Sequence, residues 1–376
     1  MARNRVIYQS EALYAGPTPA NAAEIGANKP SQLQRIQSAN YSFNIERQDV
    51  NQFGELAAID RVILSAPTVA LDFSYYTATL YNENKLGFHI STGIWVSCIS
   101  GMLNKESDEK NYYIRTVGEG ADALGVASGN TSQDVIGIGN GFVTSYTSEG
   151  SVGNFPTCTV NVEALNMTVD NGAISGNNTP YITPTDGTKS TNNYELAAVV
   201  SSPQGTGATY TVLRPGQITL TLAEYNASTG ADGTAYDSIA DTMGINITDA
   251  KIQSYNISFD LGRTPLEKLG SKFAFAREID FPVTVTMSIE ANIGDLNDGN
   301  LSDIVTNDRD FNLTVNLKDA ANANVVAAYH IKKAKLDSQE FSSAIGDNKN
   351  VTLNFSAQVG GPNQNTIGFF MSGEAS

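Results

Sequence analysis

The chain is poor in the residues that usually carry chemistry. Its 376 residues include two cysteines, two histidines and one tryptophan. Cys98 and Cys158 supply neither a disulfide framework nor a zinc ligand set, and are expected to serve as small apolar fillers. His89 and His330 lie far apart with no carboxylate motif around either, and no GxSxG signature accompanies the serines. His89, following Gly87 and Phe88, reads as a core or interface histidine. Charge is scarce as well, at 16% of residues, below the roughly 25% usual for a globular domain. It also favours one sign, with 39 acidic against 23 basic residues and a net charge of −16. That balance excludes an ordinary nucleic-acid binder, which needs a Lys/Arg surface to displace counterions from phosphates. No apolar run approaches the roughly 18–20 residues that span a bilayer, and the opening MARNRVIYQSEALYAG has no continuous apolar segment of the kind found in secretory leaders. The chain therefore reads as made in a reducing cytoplasm, without membrane insertion.

Two runs resemble ligand loops without their chemistry. Gly137-Ile-Gly139-Asn-Gly141 lacks the strand–helix context and the lysine of a phosphate-cradling loop, and reads as a flexible turn. Asp295-Leu-Asn297-Asp298-Gly299 places its glycine one position early for a calcium loop and has no closing glutamate. Asn-x-Ser/Thr triplets at Asn226, Asn246 and Asn256 are by-products of an Asn/Thr-rich composition. No catalytic, cofactor-binding or metal-ligating residue is assigned, and the chain reads as a non-enzyme.

What the chain does have is repetition. Residues 35–63 read RIQSANYSFNIERQDVNQFGELAAIDRVI, and residues 251–279 read KIQSYNISFDLGRTPLEKLGSKFAFAREI. At one fixed offset, Ile36, Gln37, Ser38, Asn40, Ser42, Phe43, Arg47, Gly54, Ala58, Arg61 and Ile63 recur as Ile252, Gln253, Ser254, Asn256, Ser258, Phe259, Arg263, Gly270, Ala274, Arg277 and Ile279. The period is too long for a solenoid, so the repeated unit is a whole domain. Lys110–Val117 matches Arg309–Val315, a looser match sets Phe142–Leu165 against Tyr329–Val359, and short helices are expected at Ser97–Leu103 and Asn300–Val305. Period-two alternation puts Val69, Leu71, Phe73 and Tyr75 on one face of a strand, Thr68–Tyr76, and Val283, Val285, Met287 and Ile289 on one face of another, Val283–Glu290. Further strands are read at Ile218–Leu222, Ile252–Leu261, Phe311–Leu317 and Val351–Val359. These features predict an all-β fold with one short helix per domain, arranged as two tandem β-sandwich or half-barrel domains at residues 1–166 and 216–376. The Gly/Asn/Thr/Pro-rich stretch 167–215 reads as an insertion and linker, too polar to bury a core.

Each unit contains a segment of about twenty residues, Glu46–Ala66 and Gly262–Phe281, long for a loop without a function. Each carries apolar residues that a solvated loop does not need: Val50, Phe53, Leu56 and Ile59, then Leu266, Leu269, Phe273 and Phe275. A long loop with its own apolar side, present twice, points to a docking arm, the alternative being an Ω-loop folded on its own domain.

The order of elements resembles the major tail tube proteins of long-tailed bacteriophages. The resemblance rests on the opening VIYQSEALYAG strand, the duplicated IQSANYSFNI and IQSYNISFDL, the long loop after each, the DRDFNLTVNL strand and the closing VTLNFSAQV. It implies two tail-tube-like domains that add strands to a β-barrel lining the lumen of a six-domain ring. It further implies that the long loops reach to the neighbouring ring, which would make Arg47, Arg61, Arg263 and Arg277, with the apolar residues above, inter-ring residues. The N-terminal arm and the tail Gln358–Ser376 would be further joints. A common tube subunit carries one domain. A fused pair implies homotrimeric rings with pseudo-sixfold symmetry, stacked into a tube in the virion tail and meeting other tail proteins at its ends. An acidic lumen fits double-stranded DNA that must pass without sticking, with Asp72 as the first lumen-facing candidate and Glu46 and Asp260 as others. The alternatives are another tail component, such as a terminator, baseplate hub or decoration protein, or a secreted β-sandwich adhesin.

Overall fold

The structure, a computed structural model, describes residues 11–17, 22–103, 108–118, 123–124, 133–171, 177–202, 212–226, 232–235, 251–293, 301–302, 305, 308–319, 324–343 and 348–373. The Asp295–Gly299 run, Asn246, residues 1–10 of the N-terminal arm and residues 374–376 of the tail lie outside the described residues. The fold is all-β. In chain order its first part carries β1 (Glu11–Ala15), β2 (Ser31–Gln32), β3 (Ile36–Asn44), β4 (Arg47–Val50), β5 (Asp60–Ile63), β6 (Thr68–Tyr76), the helix α1 (Tyr81–Leu86), β7 (Ile90–Ser91), β8 (Lys110–Val117), β9 (Gln133–Ser151), β10 (Thr157–Ala164) and β11 (Asn166–Asn171). The second part carries β12 (Ile218–Tyr225), β13 (Asp232–Ala235), β14 (Lys251–Asp260), β15 (Arg263–Leu266), β16 (Ala276–Ile279), β17 (Val283–Asn292), β18 (Phe311–Lys318), β19 (Val325–Ser342), β20 (Asn350–Val359) and β21 (Gly368–Gly373).

One antiparallel sheet runs through both parts in the order β3-β6-β10-β9-β14-β17-β20-β19. Behind its first four strands lies a sheet of β2, β1, β8, β9 and β11. Behind its last four lies one of β13, β12, β18, β19 and β21, with β7 added in parallel to β21. The long strands β9 and β19 belong to two sheets each, turning the corner between them, the usual device of packed sheets. The corner has the same form twice. Asn140 and Lys333 both take positive φ, at 56° and 60°. Each backbone N–H there is received by an asparagine side chain, Asn111 for Asn140 and Asn312 for Lys333. Aligned on this corner, β8 corresponds to β18 from Phe311 onward, two residues later than the sequence match began.

The alternation is realised as burial. Val69, Leu71, Phe73 and Tyr75 of β6, and Val283, Val285, Met287 and Ile289 of β17, are all buried in one continuous core. Of the expected helices, Ser97–Leu103 contains a 3-10 turn, Cys98–Met102, while the α-helix lies earlier, at Tyr81–Leu86, ended by left-handed Gly87. In the second, Leu301, Ser302 and Val305 are helical.

Two readings need correction. The glycine run 137–141 is not a turn but part of β9. A Cβ on Gly139 would sit 2.2 Å from the Pro180 carbonyl oxygen, and one on Gly137 2.7 Å from Thr168 Oγ1. These glycines let another stretch of chain cross directly over a strand. That stretch belongs to residues 167–215, which do bury side chains. Tyr194 and Leu196 join Tyr14, Tyr113, Val117, Ala123, Val135 and Val199 in a second apolar cluster. The start of the stretch, moreover, is strand β11. Turn-rich composition concealed this, because a few apolar residues suffice when the surface they cover is already formed.

Glu24 locks the crossing stretch in place. It is fully buried, its carboxylate accepts from Asn111 Nδ2 (2.8 Å), and its backbone bonds to Asn193 and Glu195. Burial pushes its carboxyl up to about 7, although the Asn111 bond pulls the other way. A raised folded-state pKa favours the protonated fold, so this contribution is complete below about 4.5 and is lost as pH rises through about 7. Glu24→Gln is therefore expected to be nearly neutral at pH 4.5 and stabilising relative to wild type at pH 8, as read from thermal unfolding midpoints at the two values.

Candidate functional site

Three surfaces stand out: a polar sheet face, two open sheet edges and two hairpins. The solvent face of the eight-stranded sheet follows from its registers. One row across it is Asn40, Asp72, Asn161, Ser145 and Asp260, and the next is Ser38, Ser74, Thr159, Thr147, Ser258, Thr286 and Ser356. Short hydroxyls and amides dominate, with Asp72, Glu149, Asp260, Glu290, Glu340 and, paired with Arg277, Glu163 as the acids. Among the described residues, Lys251 and Lys335 are the lysines paired on this face, and both lie next to bulges near its rim. Of the sequence-predicted acids, Asp72 and Asp260 are exposed here. Glu46 instead sits at the base of a hairpin, accepting from Ser65 Oγ at 3.0 Å. Glu149, Glu290 and Glu340 were not singled out from sequence, though extending the alternation from Ser145 and Thr147 reaches Glu149.

The middle of the sheet contains its most informative joint. β9 meets β14 with Ser148 opposite Ile257, Glu149 opposite Asn256 and Tyr146 opposite Phe259. Beneath it Phe259 packs on Tyr146, Phe88 and Phe369, with ring centroids 5.4–6.0 Å apart. Buried Glu83, from α1, accepts from Tyr75 OH (2.8 Å) and Tyr146 OH (3.0 Å), and Tyr146 OH lies 3.1 Å from Tyr329 OH. Burial raises the Glu83 carboxyl, against the pull of these hydroxyls. Cys158 is buried as expected but is more than a filler, since its Sγ lies 3.2 Å from Tyr146 OH and 3.3 Å from Thr77 Oγ1.

At the two ends of this sheet, β3 and the Lys335–Ser342 half of β19 each pair with a strand on one side only among the described residues. Phe43 on β3 is 58% exposed, while its repeat counterpart Phe259 is 2% exposed. Phe341 near the end of β19 is 42% exposed. Helical Leu301 and Val305, which follow β17 as α1 follows β6, are exposed too.

The long loops are hairpins with matching bounds. Arg47–Val50 pairs with Asp60–Ile63, and Arg263–Leu266 pairs with Ala276–Ile279. At the tips Gly54 and Gly270 both take positive φ, 95° and 84°, which suits glycine. Their surroundings differ. In the second hairpin, Arg263 donates to both Asp108 oxygens (2.5 and 2.8 Å) and to the Val143 carbonyl (2.9 Å), over the Phe142 ring. Arg277 pairs with Glu163, and the backbone N–H groups of Lys272 and Phe273 bond to Thr185 and Pro184 of the crossing stretch. Thus Arg263 and Arg277 are buried within the chain rather than offered outward, Phe273 is half-buried, and Leu266, Leu269 and Phe275 are exposed. The first hairpin leaves Arg47, Val50, Phe53, Leu56, Ile59 and Arg61 all exposed, with Arg61 Nε paired to Asp49 at 2.6 Å. Sequence matching could not separate the two, because the difference lies in what each hairpin rests on.

The remaining chemistry-bearing residues are placed structurally. His330 bridges Thr314 Oγ1 (3.2 Å) and Ser372 Oγ (3.0 Å) against Trp95, and half-buried His89 bonds through its backbone N–H to Cys98. Among the described residues no group of three or more His, Cys, Asp or Glu could hold a metal ion, and no helix is long and apolar enough to cross a membrane.

No family model matches the chain, and no curated protein matches it. Among solved structures, 46% of this chain is similar to 95% of a chain from the anti-feeding prophage cap, described as a tube-terminating cap, with 12% identity and a TM-score of 0.30. A chain of the native gene transfer agent virion is covered to 98% by 44% of this one, with 7% identity and a TM-score of 0.27. The SPP1 tail tube is covered to 80% by 43% of this chain, with 14% identity and a TM-score of 0.26.

The two arginines at one repeat position should differ in cost. Removing one partner of a buried ion pair costs about 3–5 kcal/mol, whereas an exposed substitution changes stability by about 0.5 kcal/mol or less. In the unassembled chain, urea unfolding is expected to show Arg263→Ala strongly destabilised and Arg47→Ala close to wild type.

Proposed function

We propose that the chain is a structural subunit of a phage tail tube, in which three copies close a ring and rings stack into a conduit for double-stranded DNA. The observation that carries this reading is the internal β9–β14 joint. The chain shows how one four-strand unit adds to the next, and its two ends present the same two edges again. Transferred through the repeat, Ser148 opposite Ile257 becomes Phe341 opposite Tyr41 of the next copy. Glu149 opposite Asn256 becomes Ser342 opposite Asn40. The junction would cover Phe43 and Phe341, each worth about 1.5–3 kcal/mol on full burial, and would remove two unpaired edges that otherwise invite aggregation. Contacts of this head-to-tail kind close into rings when the rotation permits.

Three copies supply about 24 strands, far beyond the roughly eight that side chains can fill. The polar face would then line the bore, its alternation placing Asp72, Glu149, Asp260, Glu290 and Glu340 inward. A wall of hydroxyls, amides and carboxylates offers a duplex no phosphate-neutralising stripe, so DNA would slide rather than bind. The two domains of the chain would be the units on either side of the internal joint.

Two measurements test this. End-on electron micrographs of purified chain are expected to show rings with a central hole, and native mass three times that of the chain; a persistent single chain or a hexamer of chains would refute the arrangement. A variant carrying Ser342→Cys and Asn40→Cys is expected to give chain-to-chain disulfides on oxidation. The one-residue slip, Ser342→Cys with Ala39→Cys, should not, because neighbouring residues face opposite sides of the sheet.

A further inference from the structure

We infer that Phe341 and Lys349 form a plug at the edge of the second unit, which in the ring enters the groove between β1 and β3 of the next copy. The Phe341 ring would fill the space beside Ala39, and the Lys349 ammonium would pair with Glu11. The inference rests on the ring reading and deepens it by naming what fills the junction. Two grooves occupy matching positions in the chain. One is lined by Glu11, Leu13, Ile36 and Ala39, the other by Ile218, Leu220, Ile252 and Tyr255. The registers match these residues one for one, because Leu13 faces Ile114 on β8 as Leu220 faces Val315 on β18. The second groove is closed by residues 150–152, where the Val152 N–H bonds to the Gln253 carbonyl at 2.9 Å. The first is lined by β1, β3 and Ile114 alone among the described residues.

The two junctions divide their bulk differently. Inside the chain the aromatic ring belongs to β14: Tyr255 is buried, and a Cβ on the facing Gly150 would lie 2.6 Å from its ring. Transferred through the repeat, Tyr255 becomes Ala39, Ser148 becomes Phe341 and Gly150 becomes Ser343, so the ring changes sides. A close-packed junction needs that volume from one strand or the other, and Phe341 supplies it where Ala39 does not. The charges match as well. Lys349 Nζ lies over the Phe341 ring, 5.2 Å from its centroid. Glu290 and Glu340 are on the other face of the sheet, so among the described residues Lys349 is the charge that accompanies Phe341. Glu11 stands at the position of Ile218, whose side chain comes within 3.2 Å of a Cβ at Gly150. Burial raises the Glu11 carboxyl, and among the described residues no cation is ion-paired with it. Arg35 and Arg115, near it on β3 and β8, donate to the Ser201 and Leu196 carbonyls instead.

The test uses the full-length chain at a series of concentrations, read by mass photometry and end-on electron micrographs. Losing one phenylalanine from the junction is expected to raise the concentration needed for ring closure about 10-fold or more. Phe341→Ala should show that rise with its unfolding midpoint close to wild type. Ala39→Tyr places a second ring in the groove and should block closure. Adding Phe341→Ser and Ser343→Gly to it reproduces the internal junction and should restore closure. Glu11→Lys should weaken closure, and Glu11→Lys combined with Lys349→Glu should recover part of the loss. Normal rings in Ala39→Tyr, or no recovery in the triple variant, overturn the plug while wild-type rings leave the ring reading standing. A wild-type chain that never associates overturns both, which separates the two failures.

Discussion

Backbone hydrogen bonding at sheet edges is the constraint on which this architecture depends. A strand needs a partner on each side, and in an open sheet two strands lack one. Within the chain the problem is solved once, where β9 takes β14 as its neighbour and eight strands run as one sheet. The rest follows from that joint. The polar face is continuous because the registers carry it across, and the core beneath is continuous because Phe259, Tyr146 and Phe369 meet under the junction. The joint also holds a buried polar cluster, in which Glu83, Tyr75, Tyr146 and Tyr329 draw on both parts of the chain. Hydrogen bonds of fixed direction allow fewer relative placements than apolar contacts do, so such a cluster fixes how the two parts meet as well as holding them.

Much of the fold was legible in the sequence, for identifiable reasons. The alternation in Thr68–Tyr76 named the buried face of that strand correctly because period two survives any tertiary arrangement. The matched segments 35–63 and 251–279 adopt matching hairpins, down to the tip glycines, because a fixed offset preserves every local determinant at once. The all-β class followed from turn-rich composition and short alternating runs.

What was not legible depends on contacts distant in sequence. Nothing local distinguishes Arg47 from Arg263, because Asp108 stands 155 residues from the latter. The glycines at 137–141 look like a turn until Pro180 is seen lying across them. The 167–215 stretch has the composition of a linker, and only the surface formed by Tyr14, Tyr113 and Val135 turns its few apolar residues into a core. In each case local propensity described the segment in isolation and packing gave it another use.

The crossing stretch has one more consequence. Pro184 and Thr185 occupy the backbone of the second hairpin near its tip, and the first hairpin has no described counterpart to them. The two matching hairpins are thus unequal among the described residues, one tethered near its tip and one not. A closed trimer would display free tips at three angular positions instead of six, so consecutive layers would engage like a three-toothed coupling, with a preferred angle of rotation between them. A duplication that doubles the wall would in this way halve the number of keys.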